Sequence, residues 1–307
     1  MLAACSVRPT TGVSSVITKS LRDGDLVGTF GMPEGEGPYP GVLALGGSDG
    51  GIPEYLVRLL VPEGFACLAL AYFATPDTQR ALVEVPLERV ERGLRWMLAQ
   101  PAVAARDGRL AVVGASKGGE LALVVAATFP DLVGPVVAYT PSAVVWAGID
   151  FSLSSGATQS SWSVGGRPLP FVPYPAGVGP SMSDRGMTLR PIYDRGLDNS
   201  AAVSEAAIPI ERATGPTLLI SGDDDQVWPA TWMCTMLIER MRAAGRSASV
   251  RHLSFPQAGH ALFPFLGQGD QAAAPLQIDF GGSHESAAAA HMAAWPEVIQ
   301  HLRAGAS

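Results

Sequence analysis

Lysine is nearly missing from this chain of 307 residues, occurring only at Lys19 and Lys117. No basic run occurs, and the formal net charge is −7. A chain of that sign repels a phosphate backbone, which excludes a nucleic-acid binder. Cysteine is scarce as well. Cys5, Cys67 and Cys234 are odd in number and far apart, so they imply no disulfide framework. That usage fits a reducing compartment, and a cytoplasmic protein is expected. No apolar stretch reaches the ~18 residues that a membrane helix needs. Met1-Leu2-Ala3-Ala4-Cys5 resembles a lipoprotein cleavage box, but no basic segment or apolar core stands ahead of Cys5, so no working signal is expected. Metal-ligand spacing is also missing. His252, His284, His291 and His301 form no His-x-x-x-His pair and no cysteine pairing. Neither a metal nor a cofactor is expected.

What the chain has in quantity is apolar residues, 47% against 16% charged, enough for a large core. One stretch organises the rest: Leu110-Ala111-Val112-Val113-Gly114-Ala115-Ser116-Lys117-Gly118-Gly119-Glu120. It reads as a buried strand over Leu110 to Val113, a tight turn with Ser116 at its tip, and a helix from Gly119 to about Phe129. The turn fits G-x-S-x-G, the nucleophile elbow. Gly114 and Gly118 stand where neighbouring backbone must pass without a Cβ, and the helix aims its N-terminal N–H groups at the serine oxygen. The pattern alone is weak, and the plain alternative is a Gly-rich turn with an incidental serine.

Around the elbow the chain alternates strands and helices. Val13 to Leu21 and Asp25 to Met32 read as a hairpin. Gly41 to Leu45 is a short apolar run followed by Gly46-Gly47-Ser48-Asp49-Gly50-Gly51. That loop lacks Gly-Lys-Ser/Thr and the dinucleotide spacing, so it is no phosphate cradle. Its place suits a second oxyanion donor from Gly47 or Ser48. Pro53 to Glu63 is a helix stopped by Gly64, Ala66 to Tyr72 a strand, Leu87 to Gln100 an amphipathic helix and Gly134 to Tyr139 a strand. The alternation predicts a mostly parallel sheet with helices on both faces. From Pro141 to about Arg212 the pattern breaks into Ser, Gly and Pro, with Trp146, Phe151, Trp162, Phe171, Tyr174 and Tyr193 interspersed. Such a stretch reads as an irregular lid over the site rather than a linker. Order resumes with a strand at Thr217 to Ser221, a helix at Ala230 to Ala244, a strand at Ser249 to Phe255 and a helix at Ala287 to Arg303. The expected organisation is one domain, 1–307, with its core in 13–140 and 213–307 and the lid in 141–212.

Two further loops carry chemistry. Ser221-Gly222-Asp223-Asp224-Asp225 follows a strand, and Asp225 is the best placed acid, with Asp223 and Asp224 as competitors. An acidic turn that merely caps the next helix is the plain alternative. Ala258-Gly259-His260 follows the last strand. The chain order Ser116, Asp225, His260 is that of α/β-hydrolases. In that reading His260 takes the serine proton, Asp225 steadies the imidazole, and the N–H groups of Lys117 and of Gly47 or Ser48 bind the oxyanion. The Lys117 ammonium is then left to pair, with Glu120 in reach; a Ser-Lys dyad is the poorer alternative while a histidine is at hand.

With these residues assembled, the chain resembles the acyl-CoA thioesterase and bile acid-CoA:amino acid N-acyltransferase family, and more distantly the dienelactone hydrolases. The stretches that carry this are Gly41-Val42-Leu43 into the Gly-rich loop, Gly64 to Tyr72, Gly114 to Glu120, Ile208-Pro209-Ile210-Glu211, Gly222 to Trp228, Ala258-Gly259-His260, and Gly281-Gly282 ahead of an Ala-rich helix with Trp295. The family's larger members carry a β-sandwich ahead of the hydrolase domain, and none is expected here. The resemblance implies an α/β-hydrolase fold and a Ser116–Asp225–His260 triad acting on acyl thioesters, with CoA as the carrier. Serine rather than cysteine at the nucleophile implies transfer to water. Acyl transfer to an amine or alcohol, and hydrolysis of oxoesters or lactones, are the alternatives. The expected partner is a small acyl ester or thioester.

Overall fold

The computed structural model describes residues 16–152, 157–262 and 278–304. The Met1 to Cys5 stretch, residues 13–15 of the first expected strand and the Ser/Gly run at 153–156 lie outside them. Strands β1 (Val16–Asp23) and β2 (Leu26–Pro33) form the expected hairpin, turning at Gly24 with φ 58°. A glycine takes that left-handed value without a Cβ clash. Six more strands follow: β3 (Tyr39–Leu45), β4 (Ala66–Ala71), β5 (Leu110–Ala115), β6 (Val133–Tyr139), β7 (Thr217–Gly222) and β8 (Val250–Phe255). Their order across the sheet is β1-β2-β4-β3-β5-β6-β7-β8. Strands β3 to β8 run parallel, and the hairpin lies antiparallel against β4.

The apolar runs dictate this. Every residue of β4, β5, β6 and β7 is buried, as a sheet covered on both faces requires. Side chains alternate between two cores. Leu43, Leu45, Leu110 and Val112 pack with helices α2 (Leu87–Leu98), α3 (Lys117–Thr128) and α6 (Ala230–Ala243). Val42, Ala44, Ala111 and Val113 pack with α1 (Glu54–Leu60) and α7 (His284–Arg303) on the other face. Each fully buried Leu or Val contributes roughly 1.5–3 kcal/mol of transfer free energy, so both cores drive folding strongly.

Several boundaries differ from expectation. The helix after the Gly-rich loop ends at Leu60 and tightens into a 3₁₀ turn at Val61–Glu63, because Pro62 has no N–H for the next α-helical bond. Helix α2 stops at Leu98. The helix after the elbow starts at Lys117, two residues early. Helix α7 starts at His284, where Ser283 accepts the Ser286 N–H as N-cap.

The larger difference is in 141–212. It is not irregular throughout. Helices α4 (Arg190–Leu197) and α5 (Ser200–Ala206) lie within it, and a strand at Trp162–Val164 pairs with Val85–Pro86. Trp146, Trp162 and Val172 are wholly buried. Trp146, Trp162 and Tyr193 thus anchor this segment in the core, whereas Phe151 is exposed.

Candidate active site

Four parallel strands end at one edge of the sheet, and the candidate residues stand just past those ends. Ser116 follows β5 with φ 55° and ψ −120°, a strained conformation for a residue with a side chain. The surroundings enforce it. A Cβ on Gly114 would overlap the Gly118 carbonyl, and one on Gly118 would overlap the Gly46 carbonyl. The Ser116 N–H donates to Tyr139 O at 2.9 Å, which ties the turn to β6. The serine side chain is left partly exposed.

His260 follows β8. Its N–H donates to Phe280 O at 2.7 Å, which fixes the loop. The ring lies against Trp228, with centroids 5.5 Å apart at 78°, and stacks on Phe280 at 6.2 Å. Nε2 is 2.8 Å from Ser116 Oγ, and Nδ1 is 2.8 Å from Asp225 Oδ2. A carboxylate only accepts, so Nδ1–H donates to it and the Nε2 lone pair faces the serine hydroxyl. Asp225 is buried, and its other oxygen accepts the N–H groups of Val227 at 2.9 Å and Trp228 at 3.1 Å. Its competitors point elsewhere. Asp223 accepts from Thr231 Oγ1 at 2.8 Å. Asp224 accepts the Gly282 N–H at 2.8 Å and pairs with Arg185 at 3.4 Å.

Two groups of N–H donors flank Ser116. Lys117 is the first residue of α3, and its N–H, like the others of a helix's first turn, has no carbonyl within the helix to bond. On the other side stand Gly47 and Ser48. A Cβ on Gly47 would sit 3.6 Å from Ser116 Cβ. The loop is pinned by Tyr72, whose hydroxyl donates to Gly46 O at 2.7 Å and Gly47 O at 2.9 Å. The Gly47 N–H also faces the carboxylate of Asp49.

The Lys117 side chain turns away from the serine into the protein. Its ammonium donates to Glu120 at 2.7 and 2.8 Å and to Ser161 Oγ at 2.8 Å, beneath the ring of Trp162. Glu120 also accepts from Trp162 Nε1 at 2.7 Å and from the Trp146 N–H at 3.3 Å. Burial pulls the ammonium's pKa down and pushes the carboxyl's up, while each opposes the other's shift. Sequence reasoning saw the pairing but not its depth, because Ser161 and Trp162 lie more than forty residues further along the chain. The segment 141–212 touches the acid turn as well. Arg190 Nη1 donates to Asp225 O at 2.8 Å, and Tyr193 packs edge-on against Trp228 at 5.4 Å.

Among the described residues, no group of His, Cys, Asp and Glu is placed to hold a metal ion, and no helix is long and apolar enough to cross a membrane.

Eight strands in this order, with serine, carboxylate and histidine on the turns after β5, β7 and β8, define an α/β-hydrolase fold. A dienelactone hydrolase-like promiscuous phosphotriesterase from metagenomic libraries shares it, with a TM-score of 0.57 at 17% identity over 96% of this chain and all of that one. The chain belongs to the family described as BAAT / acyl-CoA thioester hydrolase C terminal, whose model matches residues 85–305. It is similar to acyl-coenzyme A amino acid N-acyltransferase 2 of Rattus norvegicus, 30% identical over 290 residues, which are 93% of this chain and 65% of that protein. Acyl-coenzyme A thioesterase 6 of Mus musculus is 31% identical over 251 residues, 80% of this chain and 54% of that protein. The chain thus spans less than two thirds of the length of these relatives.

Proposed function

We propose that this protein is a serine hydrolase of acyl thioesters, with Ser116, His260 and Asp225 as its catalytic triad. The observation that carries this is the unbroken chain of two 2.8 Å contacts from Ser116 Oγ through the imidazole to a buried carboxylate. Ser116 Oγ attacks the acyl carbon and gives its proton to His260 Nε2. The Oγ–C bond forms, the C–S bond breaks, and the proton passes to the departing thiol. Water then attacks the acyl-serine by the same route in reverse. The N–H groups of Lys117 and Ser48 receive the oxyanion, since that of Gly47 already faces Asp49. Each is worth roughly 3 kcal/mol in the transition state. The segment 141–212 covers the site and sets the choice of acyl group.

Acyl-CoA is the favoured substrate class, because a thioesterase acting on it is among the relatives. A second reading, acyl transfer to an amine, is favoured by the relative named as an N-acyltransferase. Ser116→Ala is the direct test. It should abolish turnover across a panel of acyl-CoA thioesters and stop labelling by a fluorophosphonate. Unchanged rates would refute the reading. Adding glycine to the native enzyme separates the two outcomes: amide product means transfer, free acid alone means hydrolysis.

A further inference from the structure

The loop after β3 carries a charge that thioester hydrolysis leaves unused. Asp49 Oδ1 lies 3.2 Å from the point where a Cβ on Gly47 would stand, and Ser116 Cβ lies 3.6 Å from that same point. The carboxylate oxygen and the β-carbon of the nucleophile are therefore no more than the sum of those distances apart, 6.8 Å. The Tyr72 hydroxyl holds the Gly46 and Gly47 carbonyls from within. Outward movement is limited too, since Gly50 is packed against Ala74 and the Phe73 ring.

Tyr55 and Tyr72 lie near enough to this carboxylate for its charge to help raise their pKa values. The N–H groups of Asp49 itself, Gly47 and Gly50 face it, and crowding by the protein raises its pKa above the ordinary 3.8. No basic side chain among the described residues is paired with it, whereas Lys117 is taken up by Glu120 and Ser161. Asp49 is nonetheless open to solvent on one side, so a ligand can reach it. A negative charge that those N–H groups hold, but that no basic side chain among the described residues neutralises, thus stands within 6.8 Å of the β-carbon of Ser116.

We propose that Asp49 is a specificity-determining residue, one that holds a cationic, N–H-bearing group on the substrate's acyl part and turns away acyl groups ending in a carboxylate. This rests on Ser116 being the nucleophile. A charge-assisted hydrogen bond spans about 2.8 Å. With Asp49 Oδ1 at most 6.8 Å from Ser116 Cβ, an amino group a few bonds beyond the acyl carbon can come within that length of the carboxylate. A carboxylate there would meet a like charge with no cation of the described residues between them, which is how a site discriminates by repulsion as well as attraction.

The test uses thioesters of N-acetylcysteamine, whose thiol part is uncharged, carrying 3-aminopropionyl, butyryl or malonyl groups of similar length. In the native enzyme, kcat/KM for 3-aminopropionyl should exceed that for malonyl by roughly tenfold, about what two modest charge interactions of opposite sign supply. In Asp49→Asn, and in Asp49→Ser as a second uncharged variant, that ratio should fall to about one. The ratio is read within each protein, so a general loss of activity cancels. A ratio that the variants leave unchanged, or a native preference for malonyl, overturns the assignment alone. Absence of turnover on all three together with no fluorophosphonate labelling of Ser116 overturns the hydrolase reading, and this assignment with it.

Discussion

Asp224 and Asp225 are adjacent in the chain and face opposite surroundings. The Asp225 carboxylate is buried against an imidazole, with two backbone N–H groups holding its second oxygen. Asp224 is 38% exposed at its side chain, pairs with Arg185 and caps the Gly282 N–H. Asp225→Asn keeps one acceptor for those N–H groups but favours the wrong imidazole tautomer, and kcat should fall by roughly 10⁴. Asp224→Asn removes only partly screened pairs, so kcat should stay within about threefold. Equal losses in the two variants, measured on one thioester, would assign the acid wrongly. Ser116 and His260 could be singled out in the sequence, since each follows an apolar run and carries glycine beside it. The acid could not be settled there, because Asp223, Asp224 and Asp225 share one turn. Which of them points inward is decided by a histidine 35 residues away. Asp49 carries no signal in the sequence for a similar reason, since nothing local says that its loop folds back beside Ser116.

At the scale of elements, a buried ion pair ties the helix that follows Ser116 to the inserted segment. Lys117 and Glu120 sit three residues apart on α3, at 1% and 0% side-chain exposure. Their donors and acceptors come from Ser161, Trp162 and Trp146 in the inserted segment. Removing one partner leaves the other charge buried without compensation, a loss of typically 3–5 kcal/mol, far above that of a surface pair. Glu120→Gln should therefore unfold at clearly lower denaturant, and Lys117→Met combined with Glu120→Leu should recover much of the difference. An unfolding midpoint unmoved in Glu120→Gln would show that the pair does not hold the elbow to the segment. The strands of the sheet were legible because a strand covered on both faces must be apolar throughout. Helices α4 and α5 were not. They are eight and seven residues long, too short to stand alone, and α4 contains Pro191 and Gly196. Contacts made elsewhere hold them: Leu189 and Arg190 N–H groups donate to Gln226 O, and Tyr193 packs on Trp146.

Across the whole molecule, three histidines outside the candidate site set a pH dependence of stability. His252, His291 and His301 all have pKa values lowered from 6.5, in each case chiefly by burial. His252 Nε2 meets Ser221 Oγ at 2.8 Å, and His301 Nε2 meets Pro216 O at 3.1 Å. In the unfolded chain each takes a proton near 6.5, whereas in the folded chain it does so only at lower pH. Between those two values the unfolded state binds more protons, so stability rises with pH. This contribution is complete above about pH 6.5 and is lost as pH falls towards the folded values. The net charge of −7 acts in the other direction, since added protons reduce self-repulsion. Salt separates the two effects. At about 0.15 M the screening length is near 8 Å, which weakens repulsion between surface charges and leaves the burial cost of a histidine largely untouched. In that salt, Tm should fall from about pH 7 to about pH 5.5. Replacing His252, His291 and His301 together by Asn should flatten the slope whatever it does to the Tm itself. A triple variant that keeps the native slope would place the titrating groups elsewhere in the molecule.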